Sequence, residues 1–256
     1  MKAIILSAGM GTRLLPLTYD MPKALIEIAD APLLIHTLFT LDRVGVSDIT
    51  IVIGYYADKI REEIASYTST TLSNLKITYI ENSLYQTTGD AFSLWLAKNE
   101  LKNDVIIIDG DLLFTEEMIQ RLKDMPEGVY LAIDKKRVSE KETGVKMASS
   151  SSNKIIDIIR CAIAQGVDGR YIGIVRVSGD SLSIFKDQLN VLMKSSSKST
   201  VYSQAILMMI EEGYEVYGID MSDLPWTEID TLEDLEYARR IFGGYEYDRN
   251  MGQGGK

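Results

Sequence analysis

The chain has 256 residues, 46% hydrophobic and 25% charged, with 37 acidic against 27 basic side chains and a formal charge of −10. That length suits one large α/β domain with a substantial core and is short for two. The acidic balance argues against a sequence-independent nucleic-acid binder, which needs a basic surface to displace counterions from phosphate.

Lys2–Ser7 is a compact apolar run ending near a glycine, the pattern of a buried parallel strand. Pro32 precedes a helical spacing over 33–44. Strands are expected at 49–53, 76–80 and 105–108, with helices at 59–67 and 91–101 between them. Repeated βαβ units imply a mainly parallel sheet covered by helices on both faces. The second half is less regular. Runs at 129–133, Gly144–Met147, Lys154–Ile159, 171–177 and 215–219 read as strands, some antiparallel, and 181–193, 203–212 and 232–241 read as helices. Thr231 stands near the start of the last. The serine stretches 149–152 and 195–199 read as exposed loops. The expected organisation is a single domain over 1–242, its variable region mainly within 126–225, and a loosely held tail over 243–256.

Three features narrow the chemistry. Cys161 is the only cysteine, so no internal disulfide forms and a reducing, cytoplasmic setting is expected. The apolar opening is too short for a signal peptide, and no apolar run approaches the roughly 20 residues of a membrane span. His36 is the only histidine and lies in an apolar helical stretch. A buried structural role suits it, which disfavours a Ser-His-Asp hydrolase or a histidine-ligated zinc centre.

In open parallel sheets, ligands bind beyond the carboxyl ends of the strands. The segment Ser7-Ala8-Gly9-Met10-Gly11-Thr12-Arg13 falls there, followed by Pro22-Lys23. Gly9 and Gly11 let backbone N–H groups approach phosphates, and Arg13 and Lys23 supply cations for the same anion. Leu14 stands where a dinucleotide fingerprint needs a third glycine, and no Lys-Ser/Thr pair follows Gly11 as a Walker A would require. Asp109-Gly110-Asp111 ends the strand at 105–108, and paired carboxylates there suit a hard cation. Trp226-Thr227-Glu228-Ile229-Asp230-Thr231 precedes the closing helix. Asp230 either faces Asp111 across the crevice or stabilises that helix near its N-terminus.

The opening KAIILSAGMGTRLLPLTYDMPKAL, the DGD after an apolar strand and the late WTEIDTLEDLEYA together resemble the sugar-phosphate nucleotidyltransferase family over about residues 1–240. The resemblance implies a Rossmann-like GT-A fold: α/β, with a mixed, mainly parallel sheet flanked by helices. It implies that Ser7, Ala8, Gly9, Gly11, Thr12 and Arg13 hold a nucleoside triphosphate and that Lys23 contacts phosphate at the reacting centre. It makes Asp111 and Asp230 ligands of Mg²⁺, and Arg13, Lys23 and Asp111 the catalytic set. The implied reaction joins a nucleotide to a small phosphorylated alcohol or sugar and releases pyrophosphate.

The loop 82–90 is the expected base pocket, with Asn82 and Gly89 as contacts; a helix cap using Asp90 is the alternative reading. Gly89-Asp90-Ala91-Phe92-Ser93-Leu94 departs from the thymidylyl and uridylyl pattern and is closer to short cytidylyltransferases acting on phosphocholine, inositol-1-phosphate or 2-aminoethylphosphonate, so CTP is the expected nucleotide. Glu142-Thr143-Gly144-Val145-Lys146 and Asp168-Gly169-Arg170-Tyr171 resemble the same branch. Lys146, Arg160, Tyr171 and Trp226 are the acceptor-site candidates, each with a plain alternative as solvated charge or packed core. Aromatic walls, Tyr202 included, would suit a quaternary amine by cation–π attraction. A homodimer is a common arrangement in similar enzymes, and neither nucleic acid nor membrane is an expected partner. A sugar-1-phosphate thymidylyl-, uridylyl- or guanylyltransferase is the alternative within the family, and a glycosyltransferase using Asp109-Gly110-Asp111 and a non-catalytic nucleotide sensor are the rival classes.

Overall fold

The computed structural model describes residues 1–137, 143–149, 151–160 and 166–243. Cys161, Glu142 and the tail beyond 243 lie outside the described residues. Strand β1 (Lys2–Ser7) is apolar on both faces, as a strand buried between two helical layers must be. It leads through short 3-10 turns into the two-residue pair β2 (Glu27–Ile28) and β3 (Ala31–Pro32), then helix α1 (Leu33–Arg43). Pro32 fits just before α1, where no intrahelical donor is lost. Next come β4 (Asp48–Ile53), α2 (Ala57–Thr68), β5 (Lys76–Glu81), α3 (Asp90–Leu96) and β6 (Asp104–Asp109). The helix expected to reach residue 101 stops at Leu96. The chain then tightens, with Lys98 and Glu100 donating backbone bonds to carbonyls three residues back.

Beyond β6 the chain forms β7 (Leu112–Phe114), α4 (Glu116–Lys123), β8 (Val129–Asp134), β9 (Gly144–Met147), β10 (Lys154–Ile159) and β11 (Gly169–Ser178). It ends with α5 (Ser181–Ser195), α6 (Ser203–Glu211), β12 (Val216–Asp220), β13 (Trp226–Glu228) and α7 (Leu232–Phe242). Helix α4 and the four shortest strands are additions to the sequence reading.

One nine-stranded sheet runs β5-β4-β1-β6-β11-β8-β12-β10-β9 among the described residues. The β5-β4-β1-β6 portion is parallel; β11 runs antiparallel to both β6 and β8, and β12 pairs parallel with β8. The architecture is the α/β, GT-A-like fold with a mixed sheet. Side-chain alternation sends Ile5, Ile106 and Ile174 to one core and Ile4, Val105 and Val175 to the other, so both faces are covered. His36 lies in the interior at 1% exposure, its Nε2–H shared between the carbonyls of Ile28 (2.7 Å) and Ala31 (3.0 Å). Burial lowers its pKa against the pull of those carbonyls, and its role is structural. No helix among the described residues is long and apolar enough to cross a membrane.

Two features place the site. The chain leaves β1 toward β4 on one side, while β6 lies on the other, so a topological switch point opens between the carboxyl ends of β1 and β6. The second is the antiparallel ladder of β7 and β13, with Glu228 opposite Leu112, reinforced by Ile229 N–H donating to the Asp111 carbonyl at 2.9 Å. A third apolar cluster, with Leu14, Leu113, Ile229 and Leu235, pins this ladder, α7 and the β1 loop together.

Candidate active site

Leaving β1, the chain bends over Gly9 and Gly11. Gly11 has φ +65°, and a Cβ there would lie 2.7 Å from Lys23 Cβ; only glycine permits both that conformation and the close passage of Lys23. Thr18 Oγ1 donates to the Gly11 carbonyl at 2.8 Å and holds the bend. Opposite, Gly110 N–H donates to the Leu6 carbonyl at 3.0 Å. A Cβ on Gly110 would fall 2.2 Å from Ser7 Oγ, so glycine lets the ends of β1 and β6 meet. The crevice between them, about 250 Å³, is lined by Ser7, Gly9, Gly11, Thr12, Arg13, Lys23, Asp111 and Asp230.

Asp111, Glu228 and Asp230 converge, with one carboxylate oxygen from each lying within 4.8 Å of the others. Lys23 Nζ bridges two of them, 2.9 Å from Asp111 Oδ2 and 2.7 Å from Asp230 Oδ1. Arg13 reaches Asp230 Oδ2 at 2.8 Å, and Arg170 pairs with Glu228. Burial opposes the Lys23 ammonium, but Asp111 and Asp230 outweigh it and hold its pKa above the ordinary lysine value. Asp230 is held below the usual carboxylate range: burial pushes it up, and Lys23 and Arg13 more than reverse that. Glu228 is pushed up to about 8 by burial and by its two acidic neighbours, against Arg170 and Lys23. Three carboxylates whose oxygens converge offer hard donors that fit a divalent cation, and Glu228, raised by its acidic neighbours, would lose its proton to such an ion.

A larger cavity of about 510 Å³ adjoins the crevice and shares Arg13 and Asp230 with it. Arg137 and Arg170 face the Trp226 ring from 5.6 and 4.7 Å, and Trp226 Nε1 donates to Asp134 Oδ2 at 2.9 Å. Arg137 also bonds the Trp226 carbonyl and, at 2.7 Å, the Tyr237 hydroxyl. Asp90, Asp109, Tyr171 and Tyr202 form another part of the lining. Burial pushes Asp90 up to about 7, opposed by the Tyr202 N–H and Arg160. It pushes Asp109 well above the carboxylate range, helped by Asp90, Asp111 and Glu228 and opposed by the Tyr202 hydroxyl.

A switch-point crevice with a glycine-bent loop, two cations and an acidic triad, joined to a second cavity, is a two-substrate layout. The family model described as nucleotidyl transferase matches residues 2–160. The chain belongs to that family. It is 28% identical to the CTP:phosphoglutamine cytidylyltransferase of Campylobacter jejuni, over 92% of this chain and 98% of that protein. It is 27% identical to the CMP-5'-(3-aminopropyl)phosphonate synthase of Streptomyces rubellomurinus, over 93% of this chain but only 38% of that longer protein. The inositol-1-phosphate CTP transferase of T. maritima superposes with a TM-score of 0.76 at 18% identity, covering 95% of this chain and 96% of that one, a likeness of fold.

Within this nucleotidyl transferase, the loop residues, Arg13, Lys23, Asp111 and Asp230 come together as the motif spacing predicts. The helix-stabilising alternative for Asp230 is taken instead by Thr231 and Asp234, which form a reciprocal capping box on α7. Ala8 lies just beneath the loop, its carbonyl accepting from Tyr55 N–H at 3.1 Å. Asn82 departs from its expected contact with the base. It is 1% exposed, its amide donates to Thr88 Oγ1 and Ser93 Oγ, and its carbonyl accepts from Leu84 N–H, so the side chain braces the loop from below. Gly89 is required by protein backbone: a Cβ would lie 2.2 Å from the Thr200 carbonyl, and its N–H donates to the Lys198 carbonyl at 2.7 Å. Lys146 sits on the exposed side of β9, opposite the buried Val145 and Met147 and outside the cavity lining. Arg160 is exposed and reaches the cavity only through its field on Asp90. Tyr171 and Trp226 do line the cavity. Glu228, Arg137 and Asp90 are residues that the motifs left without a site role, and Asp109, expected to pair with Asp111 on a cation, lines the larger cavity outside the acidic triad. For Glu228 the available signal was its spacing of two from Asp230, which brings both side chains to one side of an extended chain.

Proposed function

We propose that this nucleotidyl transferase condenses CTP with a small phosphorylated acceptor and releases pyrophosphate, with Mg²⁺ held by Asp111 and Asp230 and Glu228 as third carboxylate. The observation that carries this reading is the Lys23 bridge between Asp111 and Asp230, beside the Gly9–Arg13 bend and at the mouth of a second cavity. The cytidylyl preference is supported by the relatives named for CTP and CMP chemistry. The proposed setting is cytoplasmic, with neither membrane nor nucleic acid as partner.

The bend backbone and Thr12 cradle the triphosphate, and Arg13 and Lys23 neutralise it. An acceptor phosphate oxygen attacks the α-phosphorus, the bond to the β-phosphate oxygen breaks, and pyrophosphate departs with that electron pair. The attacking oxygen is already anionic at neutral pH, so no general base is needed and a chain with one buried histidine suffices. Alignment and charge neutralisation do the work. When bound, the ion supplies further neutralisation of the α-phosphate and leaving group. Lys23 lies between Asp111 and Asp230, and with a cation on those carboxylates its ammonium would be released to meet phosphate. The glycosyltransferase alternative is disfavoured because Asp109 lines the neighbouring cavity and is outside the acidic triad, leaving no joint Asp-x-Asp ligand pair.

Pyrophosphate release measured for each NTP against a panel of phosphorylated acceptors tests the reading. Release needing both substrates, highest with CTP, is expected. Asp111→Asn should lower turnover by about a hundredfold or more while leaving thermal unfolding near the parent's. Full turnover in that variant at saturating Mg²⁺ would refute the assignment.

A further inference from the structure

Two acids of the larger cavity have no cation in contact. Asp90 and Asp109 lie in its lining, and among the described residues no lysine or arginine nitrogen reaches ion-pair distance of either. Asp90 Oδ1 accepts the Tyr202 N–H at 2.7 Å, and Arg160 acts on this carboxyl only from a distance. Asp109 Oδ1 is sealed from solvent and has no hydrogen-bond partner. Two neighbouring acids without a cation are costly to ionise, and the unpartnered Asp109 Oδ1 calls for an explanation. Here the explanation available at a cavity wall is a ligand that brings positive charge and N–H donors.

The aromatic residues of the same cavity narrow the kind of cation. The Trp226 ring is already covered by Arg170 and Arg137. Tyr171 and Tyr202 are buried edge to face, 85° apart with centroids at 6.4 Å, and their hydroxyls meet at 2.6 Å. Tyr237, also in the lining, faces Arg137 and Arg240 at 5.5 and 5.3 Å, so among the described residues every ring of the cavity already meets a cation or another ring, a poor setting for a quaternary ammonium, which has no N–H and binds through free faces. A primary ammonium carries three donors, and its charge favours ionisation of the acids it meets.

We propose that the acceptor is a phosphorylated primary amine whose ammonium sits against Asp90 and Asp109 while its phosphate faces Arg13 and Lys23. The proposal rests on the transferase reading and specifies its second substrate. Asp90 is a specificity-determining residue in this arrangement.

The test is a steady-state comparison with CTP and Mg²⁺. Phosphoethanolamine and 3-aminopropyl phosphate are each set against the N-trimethyl counterpart, alongside inositol-1-phosphate and glucose-1-phosphate. Each primary amine should exceed its trimethyl partner by about tenfold or more in kcat/KM, because a site built for N–H donors rejects analogues lacking them. Asp90→Asn should raise KM for the primary amine about tenfold and flatten the preference, with KM for CTP unchanged. Faster use of a trimethylated or polyol phosphate would overturn the amine proposal and leave the transferase reading standing. Pyrophosphate release from no pairing of NTP and acceptor would overturn both. If the Asp90 variant does not fold, the parent's ranking of amines decides alone.

Discussion

Lys23 is the residue on which the site's charge balance turns. Its side chain is only 12% exposed and its ammonium contacts two carboxylates, so its loss leaves three mutually repelling acids with less compensation. In Lys23→Met, without divalent ion, we expect a loss of about 1–2 kcal/mol, read as a fall in Tm of about 4 °C for a chain of this size. Mg²⁺ should restore the variant and saturate at lower concentration than in the parent, since no ammonium competes for the same oxygens, while turnover falls about a hundredfold or more. Thermal titration with Mg²⁺ measures this. A variant whose Tm ignores Mg²⁺ would show that the triad is not a cation site. The residues that matter most here are legible in the sequence because phosphate chemistry demands glycine and fixed cations at short spacing. Gly9, Gly11, Arg13 and Lys23 obey that, and Asp111 is legible separately as an acid at the end of an apolar strand. Asn82 and Gly89 mislead for a physical reason: a polar side chain and a missing Cβ serve a ligand or the protein's own backbone equally well. In Gly89 the backbone that arrives, at Lys198 and Thr200, is remote in the chain.

At the scale of elements, the start of α7 couples stability to the site. Asp234 Oδ2 accepts the N–H of Asp230 at 3.0 Å and of Thr231 at 2.8 Å, while Thr231 Oγ1 accepts from Asp234 N–H at 3.2 Å. The same carboxylate therefore caps the helix and fixes the backbone of a proposed metal ligand. Asp234→Ala should cost about 1 kcal/mol, a fall in Tm of about 2–4 °C. It should also raise the Mg²⁺ concentration for half-maximal turnover several-fold, because Asp230 loses its anchor. A Tm loss with an unchanged Mg²⁺ requirement would separate the cap from the site. The long elements can be read from sequence because each carries several periods of apolar spacing; β1, β4, α1 and β10 fall within a residue or so of expectation. The β7–β13 ladder cannot be read that way. Each strand has three residues, too short for a period, and their pairing depends on partners far apart in the chain. Yet that ladder carries Glu228 and Asp230 to Asp111, so the part of the fold that assembles the acidic triad is the part with the weakest local signal.

Across the whole molecule, the region expected to bind the acceptor is continuous with the nucleotide half. Strand β11 is inserted between β6 and β8, and its residues feed both cores: Ile172 and Ile174 on one face, Val175 and Val177 on the other. Removing β11 would expose the edge of β6 and open both cores at once. Residues 1–242 should accordingly unfold as one cooperative unit, with no separate transition for the acceptor region. The two tryptophans allow a direct check. Trp95 lies in α3 and donates to Asn190 Oδ1 of α5 at 3.0 Å, while Trp226 lies in β13 at the larger cavity. Trp226→Phe leaves Trp95 as reporter, and Trp95→Phe leaves Trp226. Comparing each fluorescence transition with far-ultraviolet circular dichroism of the same variant cancels any stability change from the substitution itself. In both variants the fluorescence and circular dichroism midpoints should coincide within about 2 °C. If Trp226 reports melting well below the loss of secondary structure, the acceptor region is an independent unit and the single-domain organisation fails.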